Sequence, residues 1–229
     1  GPACEYDPSG YIDEEIIWAK NQKNGPAKKF YSNGQVRHEA SFVNGLQEGD
    51  TRIYYESGKL KYEGTYRKGK AYGIGIGYHE NGNKKYETPY KNGKIDGIDT
   101  YYYESGKVEW KIPYKNDLEN GEVIQYYENG RIKQITLFKK GKKDGEFKSY
   151  HHSGKLRSKA TYKKGKIHGK YVYYYNNGNI CHEYNYKNGL RDGYSTAYHE
   201  KTAEIRHKIM FRKGLLVDPY GNRGIIGVK

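Results

Sequence analysis

The feature that most constrains this chain is a 24-residue period, which several columns of the sequence keep independently. One glycine series recurs at that interval from Gly49 to Gly193, and a second runs from Gly34 to Gly178. An aromatic series keeps the same interval: Phe30, Tyr54, Tyr78, Tyr102, Tyr126, Tyr150, Tyr174 and Tyr198. Because a repeat of this length buries its apolar side chains against its neighbours, the period predicts a repeat array.

The repeat frame predicts a single repeat domain over residues 1–229, with about nine units. A degenerate N-terminal unit covers 2–25, seven regular repeats cover 26–193, an atypical C-terminal unit covers 194–218, and a tail covers 219–229. Divergent outer units are typical of the caps of repeat arrays. The unpaired edge strands at the two ends predict self-association from end to end.

Tyrosine is expected to be the main apolar material of the fold. Only 34% of the residues are hydrophobic, yet the chain contains 28 tyrosines and 30 glycines. Disorder is excluded because disordered chains are poor in aromatic residues, and tyrosine favours strands. No apolar run approaches the 18 or so residues that a membrane-spanning helix needs, so no such helix is expected.

Each unit alternates apolar and polar residues, as a half-buried strand does. One such strand has the apolar positions Leu60, Tyr62, Gly64 and Tyr66. A shorter strand precedes it, and the E-S-G between the two suits a three-residue hairpin loop with a left-handed glycine. That register places Tyr54 on the side of Leu60, whereas a two-residue turn places Tyr55 there. The sequence therefore predicts an all-β fold, an elongated, solenoid-like array of about nine antiparallel 24-residue hairpins.

Two stretches carry a family resemblance: "YYESGKLKYEGTYRKGKAYG" (54–73) and "YYENGRIKQITLFKKGKKDG" (126–145). They resemble the bacterial variant of the MORN repeat, which occurs in proteins often called YwqK-type antitoxins. The resemblance covers nearly the whole chain and implies an array of hairpins without a catalytic site. It also implies protein partners, self-association or contact with membrane lipid, with antitoxin-like or surface-associated roles among the bacterial variants.

A column of aromatic or histidine side chains recurs at the start of each hairpin loop. Exposed rings in a ladder offer a stacking surface, so the column is a candidate partner-binding face. The alternative is cross-strand packing that stiffens the sheet. The column consists of Tyr31, Tyr55, His79, Tyr103, Tyr127, His151, Tyr175 and His199.

The formal net charge of +14 is concentrated along one edge, because the linking loops, six-residue stretches such as 67–72, carry most of it and the hairpin turns carry none overall. A one-sided basic edge favours an acidic partner, here a protein, an anionic lipid or a glycan surface. Nucleic acid is not expected, and the alternative is a solvated edge that prevents aggregation. The basic edge consists of Arg67, Lys68, Lys70, Lys139, Lys140, Lys142, Lys143, Lys163, Lys164 and Lys166.

Catalysis, metal binding and a cofactor are not expected. The sequence has no nucleophile elbow and no phosphate-cradling glycine loop, and its repeated glutamates lie too far apart for an acid–base pair. His79 and His151 are three repeats apart, which excludes one shared metal ion. Ala3-Cys4 resembles the end of a lipoprotein cleavage site, so Cys4 is a lipidation candidate.

Two functions compete. The first is a non-catalytic scaffold for protein–protein interaction, antitoxin-like in its narrower form. The second is an envelope or surface-anchored protein, held through Cys4, that contacts acidic lipid, glycan or a host surface through the basic edge. A bacterial envelope or secreted location is favoured over the cytoplasm.

Overall fold

A computed structural model of the protein describes residues 1–6, 8, 10, 12–217 and 223–224. These residues form antiparallel strands joined by turns, without a helix, which confirms the predicted all-β fold and its 24-residue hairpin repeat. The chain divides into two compact units, Gly1–Leu118 (unit 1) and Glu119–Lys229 (unit 2). Most of the predicted tail, 219–229, lies outside the described residues.

Unit 1 contains twelve complete strands, which pair in hairpins along the chain. They are β1 (Pro2–Tyr6), β2 (Ile12–Ala19), β3 (Gln22–Phe30), β4 (Val36–Val43), β5 (Leu46–Gln47), β6 (Gly49–Tyr54), β7 (Leu60–Arg67), β8 (Lys70–Tyr78), β9 (Lys84–Lys91), β10 (Lys94–Ile95), β11 (Gly97–Tyr102) and β12 (Val108–Lys115). The short strand β13 (Leu118–Glu119) contains the boundary between the units.

Unit 2 continues with the same alternation of strands and turns. Its strands are β14 (Gly121–Tyr126), β15 (Ile132–Lys139), β16 (Lys142–Tyr150), β17 (Leu156–Lys163), β18 (Lys166–Ile167), β19 (Gly169–Tyr174), β20 (Ile180–Lys187), β21 (Leu190–Tyr198), β22 (Ile205–Arg212), β23 (Leu215–Val217) and β24 (Arg223–Gly224).

The hairpin loops have the predicted three-residue form. In the loop between β6 and β7, the N–H of Tyr55 donates to the carbonyl of Lys59 at 2.8 Å, and that of Gly58 donates to the carbonyl of Tyr55 at 2.9 Å. Gly58 has φ 80°, which lies in the left-handed region that glycine occupies without a Cβ clash. The same two bonds recur in every regular repeat, so the loop closes on a residue of the aromatic column.

A bulge in the second strand of each hairpin places the tyrosine before the loop, such as Tyr54, on the face opposite the one that simple alternation predicts. Ile53 pairs with Tyr62 but Tyr54 pairs with Leu60, so Lys61 is the extra residue. Tyr54 and Leu60 are therefore opposite each other, as predicted. The expectation that they share the stripe of Tyr62 is wrong, because the Tyr54 hydroxyl reaches Glu39 on the opposite face.

The links between hairpins are shorter than predicted. Arg67 pairs with Lys70, and only Lys68 (φ 49°) and Gly69 (φ 74°) lie between them. Positive φ at both central residues defines a type I′ turn, whose twist matches the flanking strands. Most of the predicted loop 67–72 is therefore strand, and the basic residues lie within or beside tight turns.

The two faces of the sheet differ in what they bury. The tyrosine face, defined by Tyr62 and its alternating neighbours, buries small side chains such as Thr51 and Thr88 in unit 1 and Val123 and Ala160 in unit 2. At Gly75 this row has no side chain, and the Tyr62 ring covers the position. A Cβ on Gly75 would lie 2.6 Å from the Tyr62 hydroxyl. The charged face is the opposite one and is defined by Glu39, Glu63 and the residues beside them.

Candidate interaction surfaces

The aromatic column bonds each repeat to the next through its polar atoms. The hydroxyl of Tyr31 donates to the main-chain carbonyl of Tyr54 at 2.7 Å, and that of Tyr55 donates to the carbonyl of Tyr78 at 2.7 Å. In unit 2, Tyr127 and Tyr175 donate in the same way to the carbonyls of residues 150 and 198, at 2.8 and 3.1 Å. The column therefore connects successive hairpins of a unit, in addition to any contact with a partner.

The two inner histidines occupy the same position and make the same bond. Nε2 of His79 lies 3.1 Å from the carbonyl of Tyr102, and Nε2 of His151 lies 2.9 Å from that of Tyr174. Because a carbonyl only accepts, Nε2 carries the proton in both rings. Tyr103 is half-buried and His199 is exposed at the corresponding loops. A role of the column in partner binding stays a prediction.

The basic edge lies at the type I′ turns, and nine of its ten residues are exposed. In the described part of the chain, none of the ten forms an ion pair. Two of them rest on rings: the Arg67 guanidinium lies 3.7 Å from the centre of Tyr72, and Lys143 Nζ lies 5.2 Å from that of Tyr162. The remaining charges are available to an acidic partner, and that role also stays a prediction.

The charged face carries a tyrosine–glutamate pair in several repeats, which the sequence analysis missed. The Tyr54 hydroxyl donates to Glu39 at 2.8 Å, and the Tyr78 hydroxyl donates to Glu63 at 2.6 Å. The same pair joins Tyr102 to Glu87 and, in unit 2, Tyr198 to Glu183. The signal was present in the sequence, because a glutamate stands 15 residues before each of these tyrosines.

These pairs shift the acidity of both partners. The hydrogen bond from Tyr54 lowers the pKa of the Glu39 carboxyl, with a further contribution from Lys28 at 3.1 Å. Burial, followed by the bond to Glu63, raises the pKa of Tyr78 to about 12. The pairs thus favour the ionised carboxylate and the neutral phenol, which is the state that forms the bond.

Other repeats have no glutamate in this column. Lys159 and Ile135 occupy it in unit 2, so the tyrosines that follow them, Tyr174 and Tyr150, have no such acceptor. A hollow of about 460 Å³ lies beside Tyr174 on the charged face. Its lining includes Lys148, Lys159, Lys170, Thr161, Tyr174 and Glu183.

An aliphatic strip on the charged face of unit 1 is open to solvent. Ile74 is 59% exposed and Ile98 is 58% exposed. They pair directly across strands with Pro89 and Pro113 respectively, so the four side chains lie along one row of the sheet. Contiguous exposed apolar surface of this kind marks contact sites on proteins.

The tyrosine face of unit 1 contains a buried carboxyl group. Asp99 is 1% exposed, and its Oδ1 accepts from the Thr88 hydroxyl at 2.7 Å. Burial raises the pKa of Asp99, while the bonds from Thr88 and Tyr101 act in the opposite direction. The donors to this carboxyl group are thus the hydroxyl groups of Thr88 and Tyr101.

The described residues include no group of three or more His, Cys, Asp or Glu side chains that could hold a metal ion. They also include no helix with the length and apolarity needed to cross a membrane. Cys4 is exposed in β1, and Cys181 lies 2.9 Å from Nδ1 of His182. Lipidation of Cys4 stays a prediction.

Comparison with known proteins places the repeats in a family. The family described as MORN repeat variant matches seven consecutive segments: 23–44, 47–68, 71–92, 95–116, 119–140, 143–164 and 167–188. These segments cover more than half of the chain, and each extends across a hairpin loop. No curated protein matches the chain.

Two solved structures are similar to the chain at low scores. The first is a Photorhabdus luminescens Tc holotoxin pore, at 12% identity and a TM-score of 0.22, covering 94% of this chain and 13% of that one. The second is a TcdB2-TccC3-Cdc42 crystal structure, at 11% identity and a TM-score of 0.16, covering 97% and 15%. The chain thus spans a small part of either protein, and the scores are too low to support an inference.

Proposed function

Since the chain belongs to the family of MORN repeat variants, we propose that it is a non-catalytic scaffold that binds a protein partner through the charged face of unit 1. The observation that carries this proposal is the aliphatic strip of Ile74, Pro89, Ile98 and Pro113. Exposed isoleucines gain free energy when a partner covers them, at roughly 25 cal/mol for each Å² of apolar surface removed from water. Polar side chains around the strip are suited to the rim of an interface.

Affinity capture from the native cell tests the proposal. The tagged chain is compared with the double variant Ile74→Lys/Ile98→Lys, and with Ile205→Lys as the control. Ile205 is 56% exposed, so the control adds the same charge at an equally exposed isoleucine outside the strip. We expect a partner that survives a salt wash to be lost from the double variant and kept by the control. A partner that the double variant and the control retain equally would show that the aliphatic strip is not the binding surface.

The same capture ranks the two surfaces predicted from the sequence. One variant replaces Tyr103, Tyr127 and Tyr175 by alanine, and the other replaces Lys139, Lys140 and Lys142. Because the tyrosines of the column also bond to neighbouring repeats, the alanine variant is read only after circular dichroism shows a folded sheet. A narrower form of the proposal is a YwqK-type antitoxin, and it requires that the captured partner be a toxin.

The basic edge supports a second candidate, an envelope or surface-anchored protein that contacts anionic lipid or glycan. Exposed lysines without ion pairs, as at the two successive turns 139–142 and 163–166 of unit 2, are attracted to an anionic surface by about 1 kcal/mol each. Sedimentation with phosphatidylserine vesicles at two salt concentrations tests this candidate. We expect binding that weakens at high salt, since screening shortens the range of the attraction. Binding that is absent, or insensitive to salt, would contradict it.

A further inference from the structure

Three positions of the glutamate column carry another residue, Lys111, Ile135 and Lys159, and Lys159 borders the hollow. Glutamates at the equivalent position accept a tyrosine hydroxyl in four repeats, but the repeat that ends at Tyr174 carries Lys159 there. Nζ of Lys159 lies 5.8 Å from the centre of the Tyr174 ring. In the described part of the chain, the Tyr174 hydroxyl makes no hydrogen bond. A donor is therefore in place without its usual acceptor.

The three lysines around this hydroxyl outnumber the two carboxylates, Glu146 and Glu183, that line the same hollow. Lys148 is directly opposite Lys159 in the register of β16 and β17, and like charges in that position destabilise a sheet. Lys148 reaches Glu146 at 2.7 Å, and Lys170 reaches a carboxylate at 3.2 Å. Lys159 has no ion-pair partner within the described residues. One exposed ammonium group and one hydroxyl donor thus lie side by side without a direct ion-pair or hydrogen-bond partner among the described residues.

Both groups border the same hollow of about 460 Å³. Val172 and Ile180 contribute apolar surface to it, and Thr161 adds a further hydroxyl. The remaining carboxylate at the hollow, Glu183, already accepts from Tyr198 at 2.8 Å and from Lys170 at 3.2 Å. A ligand that enters must bring its own acceptor, together with some apolar surface.

We infer that this hollow binds a glutamate or aspartate side chain of an acidic segment on the protein partner. The inference rests on the proposed function of the chain as a protein-binding scaffold. The chain's own pairs provide the template, since tyrosines at this position bond to carboxylates at 2.6 to 2.8 Å. A carboxylate between Lys148 and Lys159 also relieves their repulsion, and charge-assisted bonds of this kind are the strong ones.

Lys159→Glu is the decisive variant, because it restores within the chain the pair that the sister repeats contain. The probe is a fluorescently labelled, acetylated hexaglutamate peptide, titrated against the full chain by fluorescence anisotropy. We expect saturable binding by the unsubstituted chain and a loss of at least about tenfold in Lys159→Glu, since a cation becomes a like charge. Tyr174→Phe removes only the hydroxyl, and we expect a loss of about three- to fivefold.

Lys201→Glu is the matched control, because it makes the same charge change at an exposed lysine of a turn in the same unit, outside both the hollow and the basic edge. We expect its affinity for the peptide to stay within about twofold, as screening requires for a separate exposed charge. Equal losses in Lys159→Glu and Lys201→Glu would show general attraction to a basic surface and overturn the inference. Absence of saturable binding would overturn it as well.

Two further comparisons separate this inference from its alternatives. If phosphatidylserine vesicles bind with the same sensitivity to Lys159→Glu and the peptide does not, the site belongs to a lipid surface and the inference is wrong. If a captured partner depends on Ile74 and Ile98 but not on Lys159, the proposed function stands and the inference alone fails. If the captured partner depends on none of the three residues, the proposed function fails too.

Discussion

Units 1 and 2 build the same hairpin with different side chains on the charged face. Unit 1 has three consecutive tyrosine–glutamate pairs, Tyr54–Glu39, Tyr78–Glu63 and Tyr102–Glu87. In unit 2, Ile135 and Lys159 replace two of the glutamates, and the bulge still forms at the same step of each hairpin. The hairpin therefore forms without the pair, so residues in the glutamate column can contact a ligand without loss of the fold.

The tyrosine face shows the same contrast in packing. Gly75 lies beneath the rings of Tyr62 and Tyr90 in unit 1, whereas the equivalent position three repeats later is Phe147. The Phe147 ring makes edge contacts with Tyr162 and Tyr171, at 6.2 and 6.1 Å between centres. In unit 1, the rings of neighbouring tyrosines cover the position of Gly75. In unit 2, the side chain of Phe147 itself occupies the equivalent position. A substitution tolerated in one unit should therefore be costly in the other.

The largest expected effect comes from Gly75→Val. A Cβ at this position would lie 2.6 Å from the Tyr62 hydroxyl and 3.1 Å from the Tyr90 ring. Because the rings must move, we expect the free energy of unfolding to fall by about 3 kcal/mol, the upper end for overpacking. Urea denaturation measures this fall. In a Tyr62→Leu background the same substitution should cost much less, and an undiminished cost would contradict the packing argument.

Asp99→Asn should stabilise the protein at neutral pH by about 1–2 kcal/mol, because it removes a buried charge and keeps an acceptor for Thr88. The position is specific to unit 1, since its equivalent three repeats later is Tyr171. Burial raises the pKa of Asp99 in the folded state. Its contribution is therefore complete below the unfolded pKa and is lost as the pH rises through the folded pKa.

Urea denaturation at a series of pH values reads this dependence directly. The unsubstituted chain should lose stability as the pH rises from about 4 toward neutrality through the Asp99 titration, and Asp99→Asn should remove that component. Asp96→Asn, at a carboxylate on the nearby chain link, is the control for a general change of charge. A variant Asp99→Asn that is less stable than the parent at pH 7 would contradict the account of the buried carboxylate.

Tyr78→Phe and Tyr174→Phe test the contrast on the charged face. Tyr78 donates to Glu63 at 2.6 Å, so removing its hydroxyl should cost about 1 kcal/mol of unfolding free energy. Tyr174 has no glutamate in the equivalent position, so its substitution should change stability by less than about 0.5 kcal/mol. Hydrogen exchange in β8 and β19 reports each unit separately. Equal losses would show that the glutamate is not what distinguishes the two units.

The repeat, the all-β fold and the three-residue loop at Gly58 could be predicted because each depends on local sequence. The bulge could not, since Lys61 is a polar residue at a position where alternation also predicts a polar residue. A single extra residue then moved Tyr54 to the opposite face. Alternation alone therefore assigned the correct strand and the wrong side.

The bonds of the aromatic column and the tyrosine–glutamate pairs depend on how one hairpin is aligned with the next. The Tyr55 hydroxyl bonds to a carbonyl 23 residues later, and the Tyr78 hydroxyl bonds to a glutamate 15 residues earlier. Column spacing shows that such residues recur, but it does not give the offset between neighbouring strands. That offset is set by the bulge and the type I′ turns together.

The smallest expected effect is the acid response of the pairs. The hydrogen bonds from Lys84 and then Tyr102 lower the pKa of Glu87 in the folded state. A lowered folded pKa contributes stability that is present above the unfolded pKa, about 4.3, and is lost as the pH falls through the folded pKa. Glu87→Gln should therefore reduce the acid-induced loss by a few tenths of a kcal/mol, as expected for a partly exposed pair.

Thermal denaturation between pH 5 and pH 2.5, at about 0.02 and 0.5 M salt, measures this response, because salt screens an exposed ion pair more than a hydrogen bond. Glu146→Gln is the control, since the Glu146 side chain is 74% exposed, pairs with Lys148 at 2.7 Å and has no tyrosine donor. If its acid response is suppressed by salt while that of Glu87 persists, the tyrosine hydroxyl is the determining contact. If salt removes the acid responses of Glu87 and Glu146 equally, the tyrosine–glutamate pairs of unit 1 act as surface charges. The difference between these pairs and the Lys159 position would then be one of charge and not of hydrogen bonding.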